Sequence, residues 1–170
     1  MNYNYIYFFI KRCKKIFFYK LESYGLSWKI LKNHSIIDQI FIKIIRIRNI
    51  SLKGFYHVKG ENILDTYIDI INYLLIALIK LDVFYIKNNK ISNYDVINFY
   101  EKNIRNTLNI INNMNFCINS DINILIKKIL DLKENLDRLS NKKLKKIYFE
   151  ILIYTIFLIK KTINNSCNKM

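Results

Sequence analysis

The stretch Gly60–Lys80, GENILDTYIDIINYLLIALIK, opens on acids and runs into an apolar helix. Glu61, Asp65 and Asp69 stand four residues apart. That spacing puts them on one helical stripe, which Asn72 and Tyr73 continue. Like charges at this spacing repel and weaken a helix slightly. A divalent cation would offset the repulsion, and Mg²⁺ favours carboxylate oxygens, often together with substrate phosphates. Acids in a first turn also favour the positive end of the helix. With Gly60 just before them, Glu61 and Asp65 can be ordinary first-turn acids. That second reading does not reach Asp69, which lies two turns in among Ile68, Ile70 and Ile71.

Outward from this stretch the chain reads as helices. Its 170 residues contain no Pro and only Gly25, Gly54 and Gly60. So few turn formers favour helices joined by short polar loops. Apolar residues recur at helical spacing over about Tyr3–Leu21, Ser35–Leu52, Glu61–Phe84, Asn93–Met114, Ser120–Leu136 and Asn141–Ile163. Ser35 and Asp38 have the spacing of a capping box at the second of these. Tyr67-Ile68-Asp69-Ile70-Ile71-Asn72-Tyr73 matches Tyr148-Phe149-Glu150-Ile151-Leu152-Ile153-Tyr154 without a gap, and Lys80 then meets Lys161. The expected fold is therefore all-α: a bundle of about six helices built from two degenerate three-helix repeats. Residues 1–86 form the first repeat with the candidate site, and 87–170 the second, in one compact domain. The second copy has Lys142, Lys146 and Ile153 where the first has Glu61, Asp65 and Asn72, so the first half would supply the site.

Ile, Asn, Lys and Tyr have A/T-rich codons, so drift in an A/T-rich genome accounts for part of the composition. The net charge of +15 suits nucleic acid or another anionic partner, but the basic residues are spread out and no nucleic-acid motif accompanies them. Cys13, Cys117 and Cys167 show neither zinc spacing nor a disulfide framework, and a reduced cytoplasmic compartment is expected. His34 and His57 stand alone. The N-terminal apolar run precedes its charges, the reverse of a signal peptide. Ile70–Ile79 is too short to span a bilayer.

Two further clusters carry chemistry. Tyr24-Gly25-Leu26-Ser27-Trp28 holds the only Trp. Gly25 can end a helix and Trp28 plug the core; equally, Tyr24 or Trp28 can stack on a base. Lys43, Arg46 and Arg48 follow on the second helix, with Lys43 and Arg46 one turn apart. Such cations can grip phosphates or pair with Asp65 and Asp69.

Together, Tyr24-Gly25-x-Ser27-Trp28, Asp38-Gln39-Ile40-Phe41-Ile42-Lys43 with Arg46-Ile47-Arg48, Val58-x-Gly60-Glu61-x-Ile63, Asp69-Ile70-Ile71-Asn72-Tyr73 and Ala77-Leu78-Ile79 resemble the nucleotide modification associated domain family across Lys20–Leu81. That family in turn looks like the all-α nucleoside triphosphate pyrophosphatases of the MazG and dimeric dUTPase type. The resemblance implies a Mg²⁺ site at Glu61, Asp65 and Asp69, phosphate contacts at Lys43 and Arg46, and a base pocket at Tyr24 and Trp28. Asp38, Asn72 and Tyr73 are further candidates. Two departures are plain. Ser23 stands where members usually have Asp, and neither Glu22 nor Asp38 stands in the paired-Glu motif of the pyrophosphatases. The sequence thus supports a nucleotide-binding helical protein, with Mg²⁺-dependent pyrophosphohydrolysis as its fullest form. The alternatives are a non-catalytic helical scaffold or interaction protein that has lost the site, with or without self-association, and, more weakly, a basic nucleic-acid-binding protein.

Overall fold

A computed structural model describes residues 3–53, 62–84, 91–114 and 120–167. Within them lie α1 (Tyr3–Tyr24), α2 (Asn33–Lys53), α3 (Ile63–Phe84), α4 (Asn93–Asn112), α5 (Ile122–Asn135) and α6 (Asn141–Cys167). The fold is all-α, and no strand occurs among the described residues. Ile and Tyr favour strands in general, but here their spacing buries one face per helical turn, and that decides the outcome. No helix among the described residues is long and apolar enough to cross a membrane. Glu61, Val58, Gly54, Gly60, His57 and Cys117 lie outside the described residues.

Helix ends follow local chemistry. α1 ends where Gly25 takes φ +54° and donates its N–H to the Leu21 carbonyl at 2.8 Å. A left-handed residue closing the last turn is the usual helix stop. A 3-10 turn at Ser27–Ile30 follows. α2 begins at Asn33, with the Ile36 N–H on the Lys32 carbonyl. Ser35 therefore sits inside the first turn, and the expected Ser35–Asp38 capping box does not cap this helix. The true box is at α4. There the Ser92 hydroxyl accepts from the Asp95 N–H at 3.2 Å, and Asp95 accepts from the Ser92 N–H at 2.9 Å. The hydroxyl and amide of Ser92 hold the Asp95 carboxyl below its usual range. At α5 the Asp121 side chain accepts from the Asn123 N–H.

α3 is the central element. It packs against α1, α2, α4 and α6, and α2 also packs on α5. Ile68, Ile70, Ile71, Leu74, Leu75, Leu78 and Ile79 are at most 1% exposed, so α3 is apolar on almost every side. Truncating such a leucine costs about 2–5 kcal/mol. Two polar networks enter the core. Asn72 donates to the Cys13 carbonyl at 3.2 Å and accepts from the Tyr100 hydroxyl at 3.1 Å, which ties α1, α3 and α4 together. Tyr100 also stacks on Phe17 with centroids 4.4 Å apart. Asp82 accepts from Asn103 at 2.9 Å and pairs with Lys145, which joins α3 to α4 and α6. Cys13 is fully buried and unpaired, and burial pushes its thiol far above the ordinary cysteine range.

Candidate functional site

The turn after α1 shapes the site. Gly25 reverses the chain and the 3-10 turn lays Trp28 against the core at 7% exposure. Lys80, near the end of α3, fixes this turn. Its ammonium donates to the Lys29 carbonyl at 3.2 Å and also to the Leu31 carbonyl. Between the end of α1, the turn and α3 lies a cavity of about 430 Å³. Trp28, Tyr24, Tyr73 and Phe17 give it aromatic walls, with Leu21, Leu31 and Ile76 beside them. Its polar edge is Lys20, Ser27, Asp69 and Asn72. The Trp28 Nε1–H is buried and has no acceptor among the described residues. An orphaned buried donor costs about 1–3 kcal/mol.

Asp69 is the charged centre of this edge. Its Oδ2 accepts from Lys43 Nζ at 2.7 Å, and its Oδ1 lies 3.3 Å from Lys20 Nζ. Lys43 reaches it from α2 and Lys20 from α1. Lys20 lines the cavity, whereas Lys43 does not. Lys43 therefore holds the carboxylate from behind while Lys20 flanks its open side. One turn earlier, Asp65 pairs with Arg12 of α1 at 2.6 Å.

The sequence-predicted residues thus separate. Tyr24, Trp28, Asp69, Asn72 and Tyr73 meet at one cavity, and Lys43 joins them through Asp69. Asn72 is committed to the Cys13 carbonyl and the Tyr100 hydroxyl and works as a core strut. Arg46, half-buried one turn beyond Lys43, does not line the cavity. Asp38 is drawn away altogether, pairing with Lys133 of α5 at 2.6 Å. His34 meets Asp137 at 2.9 Å. Sequence reasoning missed Lys20, Arg12 and Phe17. All three come from α1, Arg12 and Lys20 about fifty positions before the acids they face, and no local spacing announces them.

The donor set bears on the Mg²⁺ expectation. Asp65 and Asp69 are each met by a guanidinium or ammonium group rather than by one another. No group of three or more His, Cys, Asp or Glu among the described residues is placed to hold a metal. Of the three expected Mg²⁺ ligands, Asp65 and Asp69 are each engaged by cationic side chains and Glu61 lies outside the described residues.

The segment from the last turn of α1 to the end of the cavity-bearing part of α3 decides the relationship. Residues 20–81 match the family model of nucleotide modification associated domain 1. The matched nucleotide modification associated domain carries the cavity wall with the exception of Phe17, which lies one turn before it. No curated protein and no solved structure matches the chain.

Proposed function

We propose that this chain is a nucleotide-binding protein that seats the base in the cavity between α1, the Trp28 turn and α3. One observation carries the reading: the aromatic-walled cavity with the Lys20–Asp69 edge falls inside the domain whose family description concerns nucleotides. Planar aromatic walls favour a planar ring, since stacking on aromatic side chains contributes about 1–3 kcal/mol per base. The phosphates would project from the mouth, where the field of a chain with net charge +15 favours anions.

A binding role without hydrolysis is the form the geometry supports best. Asp65 and Asp69 are engaged by Arg12, Lys20 and Lys43, an arrangement that suits holding a ligand or a structure. The same ion pairs suit the scaffold alternative, in which the fold outlives the chemistry.

Trp28 is the sole tryptophan and lines the cavity, so intrinsic fluorescence reports occupancy directly. Nucleotides should quench or shift its emission saturably, and the matching nucleosides should do so more weakly. No saturable change with any nucleotide would leave the scaffold reading in place. Release of pyrophosphate from a triphosphate, with or without Mg²⁺, would overturn the non-hydrolytic form.

A further inference from the structure

The polar edge of the cavity sets one carboxylate beside one half-exposed ammonium, a pairing that can select among bases. This inference rests on the nucleotide reading above and deepens it. Lys43 satisfies Asp69 Oδ2 at 2.7 Å from outside the cavity, so the carboxylate keeps its position. A carboxylate has about four acceptor sites, and two cations leave room for more donors. The Lys20 contact at 3.3 Å is long for a charge-assisted bond, which is typically about 2.7–2.9 Å. Lys20 is also half exposed, with 54% of its side chain open. Its ammonium is the partner most readily surrendered to a ligand.

A ring entering this cavity therefore meets a fixed acceptor beside a movable donor. The matching edge has N–H groups for Asp69 and an adjacent carbonyl for Lys20. Guanine presents its ring N1–H and its 2-amino group side by side, next to O6. Adenine and cytosine offer one donor group on the comparable edge. Uracil and thymine place their single N–H between two carbonyls, and one of those would face the carboxylate. A cavity of about 430 Å³ admits a purine. We propose that Asp69 is a specificity-determining residue that reads guanine through N1–H and the 2-amino group, with Lys20 on O6 and Lys43 holding Asp69 in place.

The test is a titration of Trp28 emission with the monophosphates of guanosine, inosine, adenosine and xanthosine, using the full chain. Guanosine monophosphate should bind at least about tenfold more tightly than the other three, in line with a good bidentate base contact. Inosine tests the 2-amino group alone. In Asp69→Asn the guanosine preference should collapse and xanthosine monophosphate should gain, because the new amide donates to the 2-oxo group. That gain also shows that the variant is folded. Equal affinities across the wild-type series, or an unchanged guanosine preference in Asp69→Asn, would overturn the assignment while leaving nucleotide binding intact. Absence of any Trp28 response to all four would also overturn the assignment, and silence toward the pyrimidine nucleotides as well would sink the nucleotide reading on which it rests.

Discussion

The third helix of each half uses the same fixtures for different ends. In α3, Lys80 holds carbonyls of the connection between α1 and α2. In α6, the aligned Lys161 donates to the Ser120 carbonyl, at 3.0 Å, in the connection between α4 and α5. Tyr67 and Tyr148 are both buried. Two positions then diverge. Tyr154 locks its hydroxyl onto Asp121, accepting from the N–H at 2.8 Å and donating to the carbonyl at 3.3 Å. Its counterpart Tyr73 instead lines the open cavity. Asp69 has one short and one longer lysine contact, whereas Glu150 lies 3.8 Å from Lys128 beside a hollow of about 280 Å³. Lys80 and Lys161 each fix the connection between the two helices that precede their own. Of this pair of tyrosines, one is tethered to the helix start beside it and the other stands at an open cavity.

The largest effect should come from breaking the strut that only the first half has. Asn72→Ala leaves the Tyr100 hydroxyl buried without its partner and removes the second bond of the Cys13 carbonyl, which keeps its place in the α1 ladder. Urea unfolding should show a loss of about 2–3 kcal/mol, from an orphaned hydroxyl at about 1–3 kcal/mol and the lost amide bond. A loss under half that size would mean that the core relaxes around the gap.

Alkaline pH probes both halves at once. Burial raises the pKa values of Cys13, Tyr67 and Tyr100, and brings Tyr148 up to about 12. The folded chain keeps these protons where the unfolded chain has lost them. Stability is thus full below about pH 9 and falls as pH rises toward 12. Burial lowers the pKa of Lys80, which acts in the opposite sense but is a single group against four. Tyr148 alone should contribute about 2–3 kcal/mol of the loss over two pH units. Tyr148→Phe should flatten that part of the curve in a pH series of melting temperatures, and an unchanged slope would refute the assignment.

Next come the matched lysines. Lys80→Met should cost about 1–2 kcal/mol, from lost hydrogen bonds of a charged donor, and should shift Trp28 emission toward the red. Lys161→Met should cost a similar amount with no spectral change. A red shift in both would show that the two connections are coupled.

The smallest effect sharpens the tyrosine contrast. Tyr154→Phe should lose about 1 kcal/mol, the usual worth of a buried hydrogen-bond pair. Tyr73→Phe should leave stability unchanged in the same melts while altering ligand-induced Trp28 quenching. Equal destabilisation by the two would erase the distinction between the closed and the open half.

How far the sequence reaches follows from where each partner lies. The helices were legible because burial repeats every turn, and α4 and α6 begin where the pattern says. The cavity wall was half legible: Tyr24, Trp28 and Asp69 stand in short motifs whose residue types suit a base and an acceptor. The purpose of the acidic stripe was not. Spacing on α3 aligns Asp65 with Asp69, but Arg12 and Lys20 arrive from α1 and Lys43 from α2, and only tertiary packing brings them there. Asp38 was misread for the same reason, since Lys133 of α5 lies 95 positions away. Ser92–Asp95 has the same local spacing as Ser35–Asp38, and only the start of the helix, at Asn93 in one case and Asn33 in the other, decides which of them caps.

Gly25 carries a consequence about handedness. A Cβ built there meets nothing within 4 Å, so size is not what calls for glycine at the end of α1. The constraint is φ +54° alone, which L-residues disfavour by roughly 1–2 kcal/mol. The mirror-image residue has the opposite preference. A semisynthetic chain with D-alanine at this position should melt higher than the natural one, because the unfolded chain loses freedom while the folded turn keeps its shape. The turn that presents Trp28 is thus a place where the protein favours the enantiomer that translation cannot supply.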